Sequence, residues 1–494
     1  MEKFKSIGAD SPSSHTSNRF AKYWKPIFSY LDLILVSTAI TVAIFFLFYK
    51  IGIVPPPYPW TDESAIAADA VETLLNGPRL IYPAQLAGGS LAVYIEAVFM
   101  ALFGRGLLAL RVLSALLSVG LVAFTYVLTR TMFAKQGKMF SQLMAGLTSL
   151  WLASSVWFLS MGRVAIPNFL LVAPMTVGCL YLLWRGLETN RLWYFILSGL
   201  MLGLFFYGYV PGLFLPIALV VFFVAEWLMS KLDERSSLIE MHWRQLIGLA
   251  VTATIVALPI FIYFIRNPEI FLYRPLFVLK TSQSLGGQQV VQNLVTTLAS
   301  FGLSPRWFLT GKTNWMDFDP LTAVIFDPLT AVLFLIGMLV AIARLKQPAY
   351  LFLLVWWATM TLPAAVSSAS VGWKLMHRAV GAESVTFVLA ALGLVTLGQW
   401  LWSHWPRFIS ATGPLVAVAV LVFAGINSYR FYFADWPNRP ETSGLFNENP
   451  VRFADWLTAH ATPDTVYVFP TRPGASPTAR PELFTVRYLY NGQA

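Results

Sequence analysis

Two adjacent carboxylates are the first residues that could do chemistry. Asp62 and Glu63 stand in Pro59-Trp60-Thr61-Asp62-Glu63-Ser64, in the first long non-membrane stretch after the first apolar run, in a chain that is only 12% charged. Neighbouring acids near a helix start can hold a hard divalent cation through oxygen ligands, and either can take a proton from an attacking hydroxyl. The dipole of a helix favours acids in its first turn without any function, so a structural role fits the same spacing. Asp69 lies seven residues beyond Asp62, on nearly the same helical face. Asp69 and Glu72 either solvate that face or complete a metal site.

Further candidates are cations and aromatics. Arg163 closes Phe158-Leu-Ser-Met-Gly-Arg163, Arg266 and Arg274 flank a short segment before Lys280, and Lys374-Leu-Met-His377-Arg378 precedes a late apolar run. All fall between apolar runs, on the side of the membrane where positive charge is depleted. A lipid phosphate would offset them, whereas snorkelling at the interface explains them without a ligand. Arg163 and Arg378 are the expected phosphate contacts, with Arg274 and His377 beside them. Glu96 sits in a short apolar segment, where an acid is expensive and by default a functional candidate; it serves as a second metal ligand or faces water. Tyr207-Gly-Tyr209-Val-Pro211 can stack on a sugar ring or a prenyl chain, or form a plain aromatic turn at the interface.

The elements that position these residues read as membrane. The chain has 494 residues, 57% hydrophobic, with mean hydropathy +0.64. Soluble domains carry about 25% charged residues, so this composition cannot cover a water-soluble surface. Apolar runs near 27–49, 107–129, 139–159, 164–184, 192–208, 210–229, 245–265, 328–343, 349–366, 381–402 and 409–426 give about eleven candidate spans by the ~20-residue rule. The net charge of +10 concentrates in short loops, a topology signal, and nothing matches a nucleic-acid module. With the N-terminus in the cytoplasm, the inside loops hold Arg130, Lys135 and Lys138; Arg185 and Arg191; Lys231, Arg235 and Arg244; Arg344 and Lys346; and Arg407. Each is basic, as the positive-inside rule requires. The lone Cys179 excludes an intrachain disulfide.

Three regions follow: a basic cytoplasmic tail (1–26), a transmembrane domain (27–426) with a large extracytoplasmic first loop (51–106), and an extracytoplasmic α/β segment (427–494). In the first loop, Pro55-Pro56-Pro57-Tyr58-Pro59 is stiff and extended. A helix capped by Thr61 or Asp62 runs through Asn76 and stops at Gly77-Pro78. Ile66, Ala70, Val71, Leu74 and Leu75 form its apolar flank, which suits the interface. The segment 91–103 is too short to span and is read as re-entrant or interfacial; a span there would invert the alternation downstream. The stretch 266–327 is polar and carries the local repeat Asp319-Pro-Leu-Thr-Ala-Val and Asp327-Pro-Leu-Thr-Ala-Val, to which no function is attached. Beyond Asn427 a short amphipathic helix is expected at 449–460 and strands at 465–470 and 484–490.

In order and placement these features resemble the GT-C class of integral-membrane glycosyltransferases. The nearest groups are family 39, the protein O-mannosyltransferases and the aminoarabinose transferases that modify lipid A. The resemblance runs from about 28 to 426. It rests on Asp62-Glu63, Tyr94–Phe103-Gly104 leading to Leu110-Arg111-Val-Leu-Ser114, Ser160-Met-Gly-Arg163, Asn267-Pro268-Glu269 with Arg274, and His377-Arg378. It implies an all-α polytopic fold and transfer of a sugar, with inversion, from a polyprenyl-phosphate donor at the outer face of the cytoplasmic membrane. The acceptor would be a lipid, glycan or protein, and a divalent metal, Mg²⁺ or Mn²⁺, would assist. By that analogy Asp62 is metal ligand or base, with Glu63 beside it. Where many relatives carry an acidic or Lys-Pro-Pro-type motif, this chain reads Gly88-Gly89-Ser90-Leu91-Ala92, so that the second acid is either Glu96 or absent. Two rival classes are a lipid or polysaccharide transporter, against which no half-to-half repeat is found, and a non-catalytic envelope scaffold.

Overall fold

The computed structural model describes residues 17–82, 90–270, 327–365, 377–438 and 448–460, together with residues 291, 294–295, 297–298, 301, 446 and 488. Helices occupy all eleven apolar runs. They are α1 (Ser17–Phe48), α4 (Leu107–Met132), α5 (Lys138–Ala153) with α6 (Val156–Gly162), α7 (Pro167–Thr189), α8 (Leu192–Leu204), α9 (Phe214–Leu232), α10 (Leu238–Arg266), α11 (Pro328–Ala343), α12 (Pro348–Ala365), α13 (Glu383–His404) and α14 (Pro406–Tyr429). The first loop supplies α2 (Thr61–Asn76) and α3 (Ser90–Phe103), and the C-terminal segment supplies α15 (Glu448–His460). Among the described residues, seven helices are long and apolar enough to cross a bilayer, or eight if α5 and α6, bent by 59°, form one span. The chain is a multi-pass membrane protein. At 14 residues, α3 is about 21 Å long and falls short of the ~30 Å hydrocarbon core.

The basic turns meet on one face of the bundle. Tyr350 donates to Gln136 (2.7 Å) and Lys346 pairs with Asp233 (2.5 Å). The His242 ring lies 3.1 Å from the Asn190 amide oxygen. These bonds tie together the turns after α4, α7, α9 and α11. The acids of α2 belong to the opposite face, called here the α2 face.

Small residues let the spans approach. A Cβ on Gly337 of α11 would overlap the Leu389 carbonyl of α13, and one on Gly393 would overlap the Leu333 carbonyl. Such contacts between backbones suit helices in lipid, where packing and not apolar burial drives association. Gly337→Val is therefore expected to destabilise by about 3 kcal/mol, the upper end for overpacking, because a carbonyl cannot move aside as a side chain can. Gly120→Ala, with nothing near its Cβ position, should be neutral or slightly stabilising. Thermal unfolding of both variants in detergent, with Gly337→Val as stable as wild type, would refute this packing argument.

Two corrections concern α2. Its N-cap is Trp60, in extended conformation, not Thr61 or Asp62. Nor does it lie open at the interface: Glu63 through Glu72 are all buried, Asp69 among them, while only Leu74 and Leu75 of the expected apolar flank are exposed. The cause is cover that local sequence does not reveal. Helix α3 packs along α2, and Phe446 of the C-terminal segment forms an antiparallel bridge with Trp60. Among the described residues of that segment there is no strand: 465–470 lies outside them, and of 484–490 only Tyr488 is described, in helical conformation.

Candidate active site

Two buried arginines build the site by consuming backbone carbonyls. Arg163, at the end of α6, donates to the carbonyls of Phe46 (2.7 Å), Leu47 (2.6 Å), Tyr49 (2.7 Å) and Val54. The rings of Tyr432 and Phe433 lie over its guanidinium, with centroids at 5.6 and 4.8 Å. Arg111, in the second turn of α4, donates to Pro55 (3.1 Å), Pro56 (2.8 Å) and Tyr58 (3.0 Å). Extended, proline-rich chain cannot pair its own carbonyls, and buried carbonyls need donors. The two fixed guanidinium forks supply them. Together they pin residues 46–58, and hence the start of α2.

Glu63 completes the clamp. Its Oε1 accepts from Arg111 Nε (3.2 Å) and the Ala165 amide (2.6 Å). Its Oε2 accepts from Arg111 Nη2 (3.2 Å) and the Trp60 amide (2.7 Å). The last bond is half of a capping box. Four donors fill the four lone-pair sites of a carboxylate, and the side chain is fully buried. This corrects the expectation that Glu63 is a metal ligand or base: no lone pair remains for either. Arg163 is corrected for the same reason, since main-chain carbonyls occupy the donors it would offer a phosphate.

Asp62 differs from both. It precedes Glu63 on the first turn of α2 and keeps partial exposure. Two residues before it, the Trp60 indole meets the His377 imidazole edge-to-face at 5.3 Å, which brings His377-Arg378 to the start of α2. His377 is buried, and burial, aided by Arg378, pushes its pKa down to about 3. It is therefore neutral at physiological pH, and Arg378 carries the positive charge of this corner. One guanidinium nitrogen of Arg378, Nη1, is buried without a hydrogen-bond partner. Tyr207 donates to the Val256 carbonyl (2.9 Å) and serves the α8–α10 packing, while Tyr209 is half-buried beside it. Arg274 lies outside the described residues.

Glu96 of α3 is fully buried, and neither carboxyl oxygen has a partner. Burial first, then the charges of Glu63 and Asp69, hold its pKa well above the usual carboxylate range. Its burial excludes the reading in which it faces water. Among the described residues no three His, Cys, Asp or Glu side chains converge as a metal site. A raised pKa gives stability that is fully present below the unfolded value and lost as pH rises. Glu96→Gln should thus equal wild type near pH 4 and exceed it by up to roughly 1.4 kcal/mol per pH unit above that. Unfolding curves of the two proteins that stay parallel from pH 4 to 8 would show Glu96 to be ionised in the fold.

Sequence reasoning missed the role of Arg111. Its signal was present: an arginine inside an apolar run demands a partner.

Known proteins supply context for this geometry. Residues 89–263 match a family described as dolichyl-phosphate-mannose-protein mannosyltransferase. The fold is similar to an oligosaccharyltransferase from Archaeoglobus fulgidus, solved tethered with an acceptor peptide containing the NVT sequon. The TM-score is 0.53 at 16% identity, over 88% of this chain and 58% of that one. That archaeal protein was also solved in complex with Zn and sulfate (TM-score 0.52, 17% identity, 90% of this chain, 59% of that one). ArnT from Cupriavidus metallidurans, bound to undecaprenyl phosphate, gives TM-score 0.53 at 14% identity, over 87% of this chain and 81% of that one. The chain thus spans less than two thirds of the archaeal protein's length. No curated protein matches the chain.

Proposed function

We propose, for a chain with the GT-C fold and a segment that matches the protein mannosyltransferases, that it is a glycosyltransferase. It moves a sugar from a polyprenyl-phosphate donor to a hydroxyl-bearing acceptor at the α2 face. The observation that supports this best is the setting of Asp62. It is a partly exposed carboxylate on a helix start fixed by the Glu63–Arg111 ion pair, and Trp60 joins that start to the His377-Arg378 corner.

In this reading Asp62 takes the proton of the acceptor hydroxyl. The hydroxyl oxygen attacks the anomeric carbon from the face opposite the phosphate, so configuration inverts. The bond from that carbon to the phosphate oxygen breaks, and the polyprenyl phosphate leaves with the electron pair. Arg378 offsets the charge that grows on it. Glu63 and Arg163 position and do not react. The basic turns support a cytoplasmic position for the opposite face, and in this reading the acceptor, whether lipid, glycan or protein, comes from the extracytoplasmic side.

The test is sugar transfer by purified protein in nanodiscs, with labelled polyprenyl-phosphate sugars, with and without Mg²⁺ or Mn²⁺. Release of polyprenyl phosphate with one donor is the expected result. Every donor left intact by folded protein would overturn the reading and favour transport or scaffolding.

A further inference from the structure

Glu383 has no role in the site as described so far. It is the first residue of α13 and is 1% exposed. Its Oε1 is buried without a partner, and no described cation lies within ion-pairing distance of its carboxylate. An acid left so in an apolar bundle is costly, and intramembrane acids persist where a ligand or partner uses them.

Its position is unusual for the start of a span. The Gly381 carbonyl accepts from the Trp356 indole (2.9 Å), and Trp356 lies nine residues before the end of α12 at Ala365, about 13 Å along the helix. The Ser384 hydroxyl is 2.8 Å from that of Thr125, well inside α4. The chain therefore descends from His377, beside Trp60, into the middle of the bundle. The first eleven residues of α13, Glu383–Gly393, are all buried.

Arg378 is the second observation. Its Nη1 is buried and unpartnered, five residues before Glu383 and above it on the same descending segment. Five residues of tight helical chain rise about 8–10 Å. A sugar ring with its phosphate is of comparable length. An anion at Arg378 and a hydroxyl at Glu383 would satisfy both orphaned groups together. Neither a free phosphate nor an acyl chain could.

We propose that Glu383 is a sugar-binding residue, accepting a hydroxyl of the glycosyl group whose phosphate rests on Arg378. This rests on the transferase reading above and adds to it the residue that recognises the sugar. Hydrogen bonds to a buried acid discriminate strongly, because an analogue without the hydroxyl leaves the acid unsatisfied.

The experiment compares two probes, undecaprenyl phosphate and undecaprenyl-phosphate mannose, binding to full-length protein in nanodiscs. For wild type, Glu383→Leu and Glu383→Ala, affinity is read from ligand-dependent thermal stabilisation. Because the acid has no partner among the described residues, both variants should fold as well as wild type. Glu383→Leu should bind the sugar-bearing lipid about tenfold to a hundredfold more weakly, with affinity for undecaprenyl phosphate unchanged. Glu383→Ala, which leaves the space open, should show the same split. Unchanged affinity for both lipids would overturn the inference while leaving the transferase reading intact, provided wild type still transfers sugar. An equal loss for both lipids would also overturn it, as it marks a structural role. Wild type that binds neither lipid would overturn both readings.

Discussion

Asp62→Asn should lower sugar transfer by about 10²–10⁴-fold, the usual contribution of a positioned general base. Donor binding and thermal stability should stay as in wild type. The amide has the same shape but cannot take the acceptor proton. The site around it is set by groups the substitution does not touch, namely the ion pair of Glu63 with Arg111 and the carbonyls held by Arg163. Asp69→Asn, about two turns further along α2 on a buried position, should leave transfer far less affected. Initial rates over a range of donor and acceptor concentrations decide the matter. Full activity in Asp62→Asn would remove Asp62 from the chemistry, and a loss confined to KM would reassign it to acceptor binding.

Breaking the Glu63–Arg111 pair should have the largest effect on the fold. Both side chains are buried, and removing one leaves the other as an uncompensated charge, at a cost of about 3–5 kcal/mol. Glu63→Gln and Arg111→Met should each lower stability on that scale. Arg111→Met should be the worse, because it also orphans the carbonyls of Pro55, Pro56 and Tyr58. Arg111→Lys should rescue little, since an ammonium cannot reproduce the planar fork. The double variant should be less damaged than the sum of the singles, because neither leaves a lone charge. A double-mutant cycle from denaturant unfolding in detergent measures this. Strictly additive losses would mean that the pair contributes nothing as a pair.

The helices of the membrane domain were legible because lipid leaves few options for a backbone. Long apolar runs with basic turns between them name their own spans, and the cross-links from Tyr350 to Gln136 and from Lys346 to Asp233 bear out their grouping on one face. The stop of α2 at Gly77, with φ of 85°, was legible in the same local way. The site was legible by residue type and much less by role. Glu63 and Asp62 look alike in sequence. They part only when Arg111, 48 residues away, and the Ala165 amide, 102 residues away, arrive at one of them. Arg163 carries the same ambiguity. A cation between two spans suits a phosphate or a set of carbonyls equally, and only the proximity of residues 46–54 decides. Asp69 looked like a solvated face until α3 covered it. Each misreading concerned which long-range partner reached a polar group first, and periodicity carries no information about that.

The bridge between Trp60 and Phe446, with the bond from the Tyr488 hydroxyl to the Arg105 carbonyl, sets a schedule for the newborn chain. Trp60 leaves the ribosome nearly four hundred residues ahead of its partner. At the usual 5–20 residues per second it waits roughly 20–80 s for it. The His377 ring arrives only a little sooner. Throughout that interval α2 has its acids but not its roof, and an arginine-stapled loop stands in the membrane beside spans that are still being inserted. Asp62 is among the earliest residues made, and the C-terminal contact beside it is among the last to form.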